Sequence, residues 1–431
     1  MRISATRLGL SSVTLDWSHL PPVINLDNEK ICKTWEKLKS IFKGDQVGFF
    51  YSPINNEISQ LEESENLVKQ ILSRDQFTDC LFLGIGGSAL GPISILSALD
   101  KGQQKIKFHF LENPDPLDWK FTLNSLKPET TLVCVVAKSG TTYETISQFL
   151  LALDWLGKNR FQSHIVAITD PEKGDLRKFA RQFKIPTLNI HPAIGGRFSI
   201  FSPVGFFPML LAGLKAQDFV NGAIEILNFF EKTPPEKNPI FILAHELIRH
   251  YPKRFIQVCM PYSTKLRLFG DWFVQMIGES LGKDGKGFTP IAALGATDQH
   301  SILQLLRDGP DDKITWFIVV DNIEDPVVIP NLTTSLQLTN LLSGFSILEG
   351  HSLHELLNIE YQATSLVLTR KQRPNLTIKL DQLDEKALGS LYFAVCVLTA
   401  FTGMLWDVSP FDQPGVEEGK IYIRNQLEGK N

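Results

Sequence analysis

Two short stretches have the residue types and spacing to hold an anion. In FLGIGGSALGP, Phe82 to Pro92, the glycines Gly84, Gly86 and Gly87 directly follow an apolar run and precede a helical pattern. Glycines there allow a tight turn and leave backbone N–H groups aimed at an anion at a helix N-terminus. Two other readings fit the same stretch. Gly84-x-Gly86-x-x-Ala89 matches a dinucleotide fingerprint, with Glu112 where a ribose-binding acid belongs, and a ligand-free Gly-rich turn has the same letters. The second stretch, VVAKSGTTYET from Val135 to Thr145, sets Lys138, Ser139, Thr141, Thr142 and Thr145 around Gly140. A phosphate monoester has three terminal oxygens and roughly two charges to satisfy, which suits hydroxyls, free N–H groups and a lysine. A dinucleotide diester needs fewer donors. Ser and Thr also serve as ordinary helix caps, but two such loops on successive strand–helix units favour phosphate.

Three more residues stand out by type. Arg197 follows Gly195-Gly196 and precedes a stretch uncharged as far as Leu214, which suits it to stabilise a developing oxyanion; the plainer alternative is a surface ion pair. Glu279 is the lone carboxylate of FVQMIGESLGK, flanked by Gly278 at the end of an apolar stretch. If Leu266 to Leu281 is one helix, Arg267, Asp271, Gln275 and Glu279 recur every four residues as a polar stripe, which a solvent-facing helix would also show. His300, in GATDQHSILQLLRDGP, sits at a strand-to-helix junction, where a capping-region histidine is the ordinary alternative.

The elements that must position these residues alternate in type. Strand-like runs are expected at Cys80 to Ile85, Ile106 to Leu111, Thr131 to Val136, His164 to Thr169, Phe255 to Met260, Pro290 to Leu294 and Ile314 to Val320, separated by helical stretches. That alternation predicts an α/β fold: parallel sheets flanked by helices, with ligands beyond the carboxyl ends of the strands. The Pro-rich, charged KTPPEKN from Lys232 to Asn238 marks a boundary. We therefore expect an N-terminal segment over 1–60, a first αβα unit over 61–231 and a second over 239–431 with a C-terminal helical segment.

Composition narrows the partners. The 431 residues are 43% hydrophobic and 21% charged, enough to bury a sizeable core, and 43 Lys and Arg against 47 Asp and Glu give a net charge of -4. No basic field exists for nucleic acid or an anionic membrane. The uncharged Ala387 to Trp406 has the length of a membrane span, but its Gly, Ser and Thr content and the absence of flanking basic clusters make it a buried helix. Cys32, Cys80, Cys134, Cys259 and Cys396 are scattered without CxxC spacing, as buried thiols in a reducing compartment would be. Met1 to Arg7 lacks the apolar core and cleavage site of a signal peptide, so a cytoplasmic location is expected.

Taken together, GIGGSALGP, KSGTTYET, GGRFS, GES with Gln275 upstream, GATDQHS and FDQPGVEEGK resemble, in type and order, the motif set of the glucose-6-phosphate isomerase family in its shorter bacterial form, over roughly residues 80 to 420. The resemblance implies two sugar-isomerase-type αβα domains, a homodimer, no metal or other cofactor, and interconversion of glucose 6-phosphate and fructose 6-phosphate. It sets the dinucleotide reading aside. Carried over by position, it makes Gly87, Ser88, Lys138, Ser139 and Thr142 phosphate-site residues, with Thr141 and Thr145 supporting the loop. Gly196 and Arg197 face the sugar's C1–C2 region, and Gln275 and Gln413 complete the pocket. Glu279 matches the catalytic base; His300, from the partner subunit, and Lys420 match the residues that assist ring opening. Ala137 departs from the pattern, where many members have serine.

The chemistry accounts for the lone acid. Aldose–ketose isomerisation needs an acid to open the ring, one base to carry a proton between C2 and C1, and a cation to hold the enediolate. A second acid beside Glu279 would raise its pKa, whereas an arginine opposite keeps it ionised. A metal site is not expected: the histidines of HELIRH, His245 and His250, are five apart and diverge on a helix, and His351 and His354 have no third ligand beside them. A non-catalytic sugar-phosphate-binding protein is the other function class, and it has no use for Glu279, His300 and Lys420 together.

Overall fold

The computed structural model describes residues 7–9, 12–21, 26–43, 47–336 and 344–429; Met1 to Thr6, read above for a signal peptide, lie outside them. Among the described residues, eleven strands form two sheets. They are β1 (Arg7–Gly9), β2 (Val13–Asp16), β3 (Asp79–Leu83), β4 (Lys107–Leu111), β5 (Thr131–Ala137), β6 (Ile165–Thr169), β7 (Thr187–Asn189), β8 (Ile256–Pro261), β9 (Thr289–Ala292), β10 (Lys313–Val320) and β11 (Asn375–Leu380).

The first sheet has the order β4-β3-β5-β6-β7, and all of its pairings are parallel. Successive side chains on a strand point to opposite faces, and here both faces are apolar. Cys80, Phe82, Cys134 and Val136 pack with Val68 and Ile71 of the Leu61–Leu72 helix and with Val204 and Phe207 of the Pro203–Leu211 helix. Leu81, Leu83, Val133 and Val135 pack on the other side with Phe149 and Ala152 of the Tyr143–Leu156 helix. Because β4 lies on one side of β3 and β5 on the other, the chain leaves β3 and β5 in opposite directions. The resulting crevice is where ligands bind in such sheets.

The second sheet has the order β1-β2-β11-β10-β8-β9. Its β11, β10, β8 and β9 are parallel, while β1 and β2 join antiparallel at one edge. All seven expected strands occur within two residues of their expected limits, giving the α/β architecture of parallel sheets flanked by helices. β1, β2, β7 and β11 were not expected. NLTIKL, the sequence of β11, has two polar residues and a lysine, yet Asn375 and Thr377 are buried on the face where Ser365 and Tyr361 of the Leu353–Arg370 helix bond to them, and Leu376, Ile378 and Leu380 are buried in the core on the other.

The Glu385–Leu405 helix is long and apolar enough to cross a membrane, and 89% of its most apolar window is buried inside the fold. It is a core helix, packed with Phe219 and Ile226 of the Ala216–Lys232 helix and Phe241 of the Pro239–His250 helix. The Lys232 to Asn238 segment turns between those two helices. His245 and His250 lie buried on the second of them: His245 Nε2 accepts from the Asp27 N–H at 3.5 Å, and His250 Nδ1 accepts from Arg254 Nη1 at 3.0 Å.

Candidate active site

The loops leaving β3 and β5 stand side by side at the crevice. After β3, residues Gly86–Ser88 make a single helical turn before the Leu90–Leu99 helix. Gly86 has φ of +56°, and a Cβ there would lie 3.1 Å from Gln275 Nε2. After β5, Thr142 precedes the Tyr143–Leu156 helix with extended backbone and does not use its hydroxyl as a cap. That hydroxyl lies 3.4 Å from Ser139 Oγ, which also accepts from the Thr141 N–H at 3.3 Å and lies 3.2 Å from Thr141 Oγ1. The first N–H groups of the helix have no partner within it, so hydroxyls and amides converge at its positive end. Thr145 is buried one turn in. Lys138 behaves differently from its neighbours: its ammonium donates to the carbonyls of Pro192 at 2.7 Å and Ile194 at 2.8 Å, and burial lowers its pKa against the pull of Asp170.

Arg197 is not a surface residue; it is only 3% exposed. It sits in the Gly196–Phe201 turn, where its donors are shared out among distant parts of the chain. Nε donates to Ser280 Oγ at 2.7 Å, and Nη2 to the carbonyls of Pro410 and, at 3.0 Å, Asp412. Nη1 donates to Gln413 Oε1 at 3.1 Å and lies 3.6 Å from Glu279 Oε2. Burial lowers the pKa of the guanidinium, opposed by the charges of Glu279 and Asp412.

Glu279 lies in the last turn of the Arg267–Leu281 helix, the element expected over Leu266 to Leu281. Gln275, one turn earlier, donates from Nε2 to Glu279 Oε2 at 3.1 Å. Both polar contacts of Glu279 fall on Oε2, which leaves Oε1 uncommitted among the described residues. The Oε1 of Gln275 is buried with no hydrogen-bond partner among them, an acceptor free for a hydroxyl.

The structure thus brings Arg197, Glu279, Gln275 and Gln413 together, with Gly87 and Gly196 in contact beside them. It does not bring His300 into that cluster. His300 ends the exposed Thr297–His300 turn after β9, organised by Asp298, whose carboxylate accepts from the Leu294 N–H at 2.7 Å and the Ser301 hydroxyl at 2.8 Å. Lys420 lies on the exposed Glu417–Leu427 helix, 2.7 Å from Glu417. One turn further on, Arg424 pairs with Glu428 at 2.9 Å.

Sequence reasoning missed Ser280 and the carbonyls of Pro410 and Asp412 as partners of Arg197. It also missed Lys283, which donates to the Ser409 and Asp412 carbonyls and pairs with the Asp412 carboxylate at 2.9 Å, fixing the segment that carries Gln413. Ser280 adjoins Glu279 in GES, but nothing local announces its partner 83 residues away.

The chain is similar to known proteins over most of its length. The family model described as phosphoglucose isomerase matches residues 69–430. A glucose-6-phosphate isomerase of Rubrobacter xylanophilus is 39% identical over 95% of this chain and 97% of its own length, and one of Carboxydothermus hydrogenoformans is 36% identical over 91% and 87%. A crystal structure of a hypothetical protein from Thermus thermophilus superposes with a TM-score of 0.85 at 32% identity, covering 96% of this chain and 99% of that one. A glucose-6-phosphate isomerase from Chlamydia trachomatis shares the fold with a TM-score of 0.81 at 23% identity, covering 98% and 90%. By the extent of these matches, the chain belongs to the phosphoglucose isomerase family.

Proposed function

We propose that the crevice between the β3 and β5 loops and the end of the Arg267–Leu281 helix is where this enzyme carries out its family's reaction. That reaction is the reversible isomerisation of glucose 6-phosphate and fructose 6-phosphate, a step of glycolysis and gluconeogenesis. The observation that carries the assignment of roles is the Arg197–Glu279 approach of 3.6 Å, a buried cation against a partly exposed carboxylate.

The phosphate sits on Gly87, Ser88, Ser139 and Thr142, with Thr141 and Thr145 shaping the loop. His300 of a second subunit and Lys420 assist ring opening by moving a proton between the ring oxygen and O1. Glu279 Oε1 removes the C2 proton, leaving an enediolate whose charge faces Arg197 Nη1, the edge of the guanidinium not committed to Ser280, Pro410 and Asp412. The same carboxyl returns the proton to C1, while the O2 hydroxyl proton passes to O1. C2 is oxidised and C1 reduced by the same electron pair, so no outside oxidant enters. Gln275 and Gln413 hold sugar hydroxyls. A homodimer in the cytoplasm, with domains over 61–231 and 239–431, completes the proposal.

Purified protein supplied with fructose 6-phosphate, in an assay that oxidises the glucose 6-phosphate formed, tests it. Turnover that Glu279→Gln removes is the expected result. Sugar-phosphate binding without turnover in the wild type would mark a binding protein and overturn the assigned roles.

A further inference from the structure

Three successive carbonyls after β7 are held from two directions. Pro192 and Ile194 accept from the Lys138 ammonium at 2.7 and 2.8 Å, and Ala193 between them accepts from the Gly48 N–H at 3.0 Å. The residues that follow are Gly195, Gly196 and Arg197. On its other side this turn lies against the β3 loop, where a Cβ on Gly87 would fall 2.2 Å from the Gly196 carbonyl carbon and 2.5 Å from the Arg197 nitrogen. Ser199 Oγ closes the same contact by donating to the Gly196 carbonyl at 2.6 Å and lying 3.3 Å from the Gly87 carbonyl. One turn therefore touches both anion-binding loops, through Lys138 on one and through Gly87 on the other.

An ammonium has three N–H donors, and two of these are committed to backbone carbonyls. A lysine whose only task was to neutralise phosphate would direct its charge at the helix N-terminus that Ser139 and Thr142 mark. We propose that Lys138 is a positioning residue: its backbone belongs to the phosphate loop, while its ammonium ties that loop to the turn that aims Arg197. This rests on the phosphate and Arg197 assignments above and adds the mechanical link between them. A guanidinium misplaced by about an ångström still leaves phosphate bound, but it stabilises the enediolate poorly, and displacements of that size can lower rates about a hundredfold.

The test separates turnover from phosphate affinity. Lys138→Met keeps most of the side chain's volume and removes the donors. We expect kcat to fall by roughly 30-fold while the inhibition constant of inorganic phosphate stays within about twofold, and Lys138→Arg, which can span both carbonyls, to recover most of the rate. A phosphate constant raised by about tenfold with kcat intact would make Lys138 a direct phosphate ligand and overturn the proposal, as would unchanged kcat and phosphate constants. If Lys138→Met fails to fold, Lys138→Gln, able to donate to one carbonyl, carries the same comparison. The double variant Ser139→Ala/Thr142→Ala is measured in parallel. Unchanged phosphate affinity there would sink the cradle assignment itself, an outcome distinguishable from a negative result at Lys138.

Discussion

Gly87 and Gly196 meet backbone to backbone: a Cβ added to Gly87 would come within 2.4 Å of the Gly196 carbonyl oxygen. Neither partner is a flexible side chain, so the turn bearing Arg197 must move to admit a methyl group.

Gly87→Ala is therefore expected to cost about 1 to 3 kcal/mol of stability by overpacking. It should lower kcat/KM by roughly a hundredfold through displacement of Arg197. Unfolding midpoints and steady-state kinetics on the same sample check both. Wild-type kinetics would mean that the turn is not coupled to the chemistry.

Glu279→Gln keeps the size of the side chain and can still pair with Gln275, but it cannot accept the C2 proton. Isomerisation should fall by several orders of magnitude, while a sugar-phosphate analogue still binds. Activity within about tenfold of wild type would remove Glu279 from the role of base.

Ser139→Ala with Thr142→Ala should chiefly raise KM and weaken inhibition by inorganic phosphate, because phosphate is held alike in ground and transition states. A loss confined to kcat would show that the two hydroxyls act on the reacting carbons instead.

The exposed position of His300 gives assembly a direct assay. If each site takes its histidine from the other chain, Glu279→Gln and His300→Ala homodimers are both inactive, but a mixed dimer has one intact site. Co-refolding equal amounts should restore about one site in four when chains pair at random. Recovery no greater than the sum of the two variants, in a sample shown to contain mixed dimers, would place His300 in its own chain's site or outside the chemistry.

His250 makes stability depend on acid. Burial pushes its pKa down to about 4, Arg254 and Lys253 add to the effect, and Asp311 opposes it. A histidine with a lowered native pKa takes up protons preferentially when unfolded, so its contribution is complete above pH 6.5 and is lost as pH falls from there toward 4. Between pH 7 and pH 5 the loss is about 2 kcal/mol. Unfolding free energies of wild type and His250→Phe at the two pH values isolate it, and equal pH dependence in both would show that His250 does not titrate on unfolding.

Much of the candidate site was legible because its signals are local. Glycine spacing, hydroxyl clusters and strand periodicity act over a few residues, so the β3 and β5 loops and the helix ending at Glu279 could be read from the chain. The resemblance of the motif set added Lys420 and Gln413 and gave roles to His300 and Gln275; Gln275 and Gln413 meet Glu279 and Arg197, whereas His300 and Lys420 lie exposed.

What only the tertiary structure decided lies at long separation. Arg197 reaches Ser280 across 83 residues and Gln413 across 216, and its burial depends on those partners having arrived. Lys138 has the residue type of a phosphate ligand, but the direction of its ammonium follows from where Pro192 and Ile194 come to rest. Strand β11 has a polar sequence, and its Asn375 and Thr377 are buried only because the Leu353–Arg370 helix covers that face. The physical reason is common to all three. Hydrogen-bonding patterns within a turn or a helix are properties of neighbouring residues, whereas a side chain's partner across a packed interior is set by the closure of the whole fold.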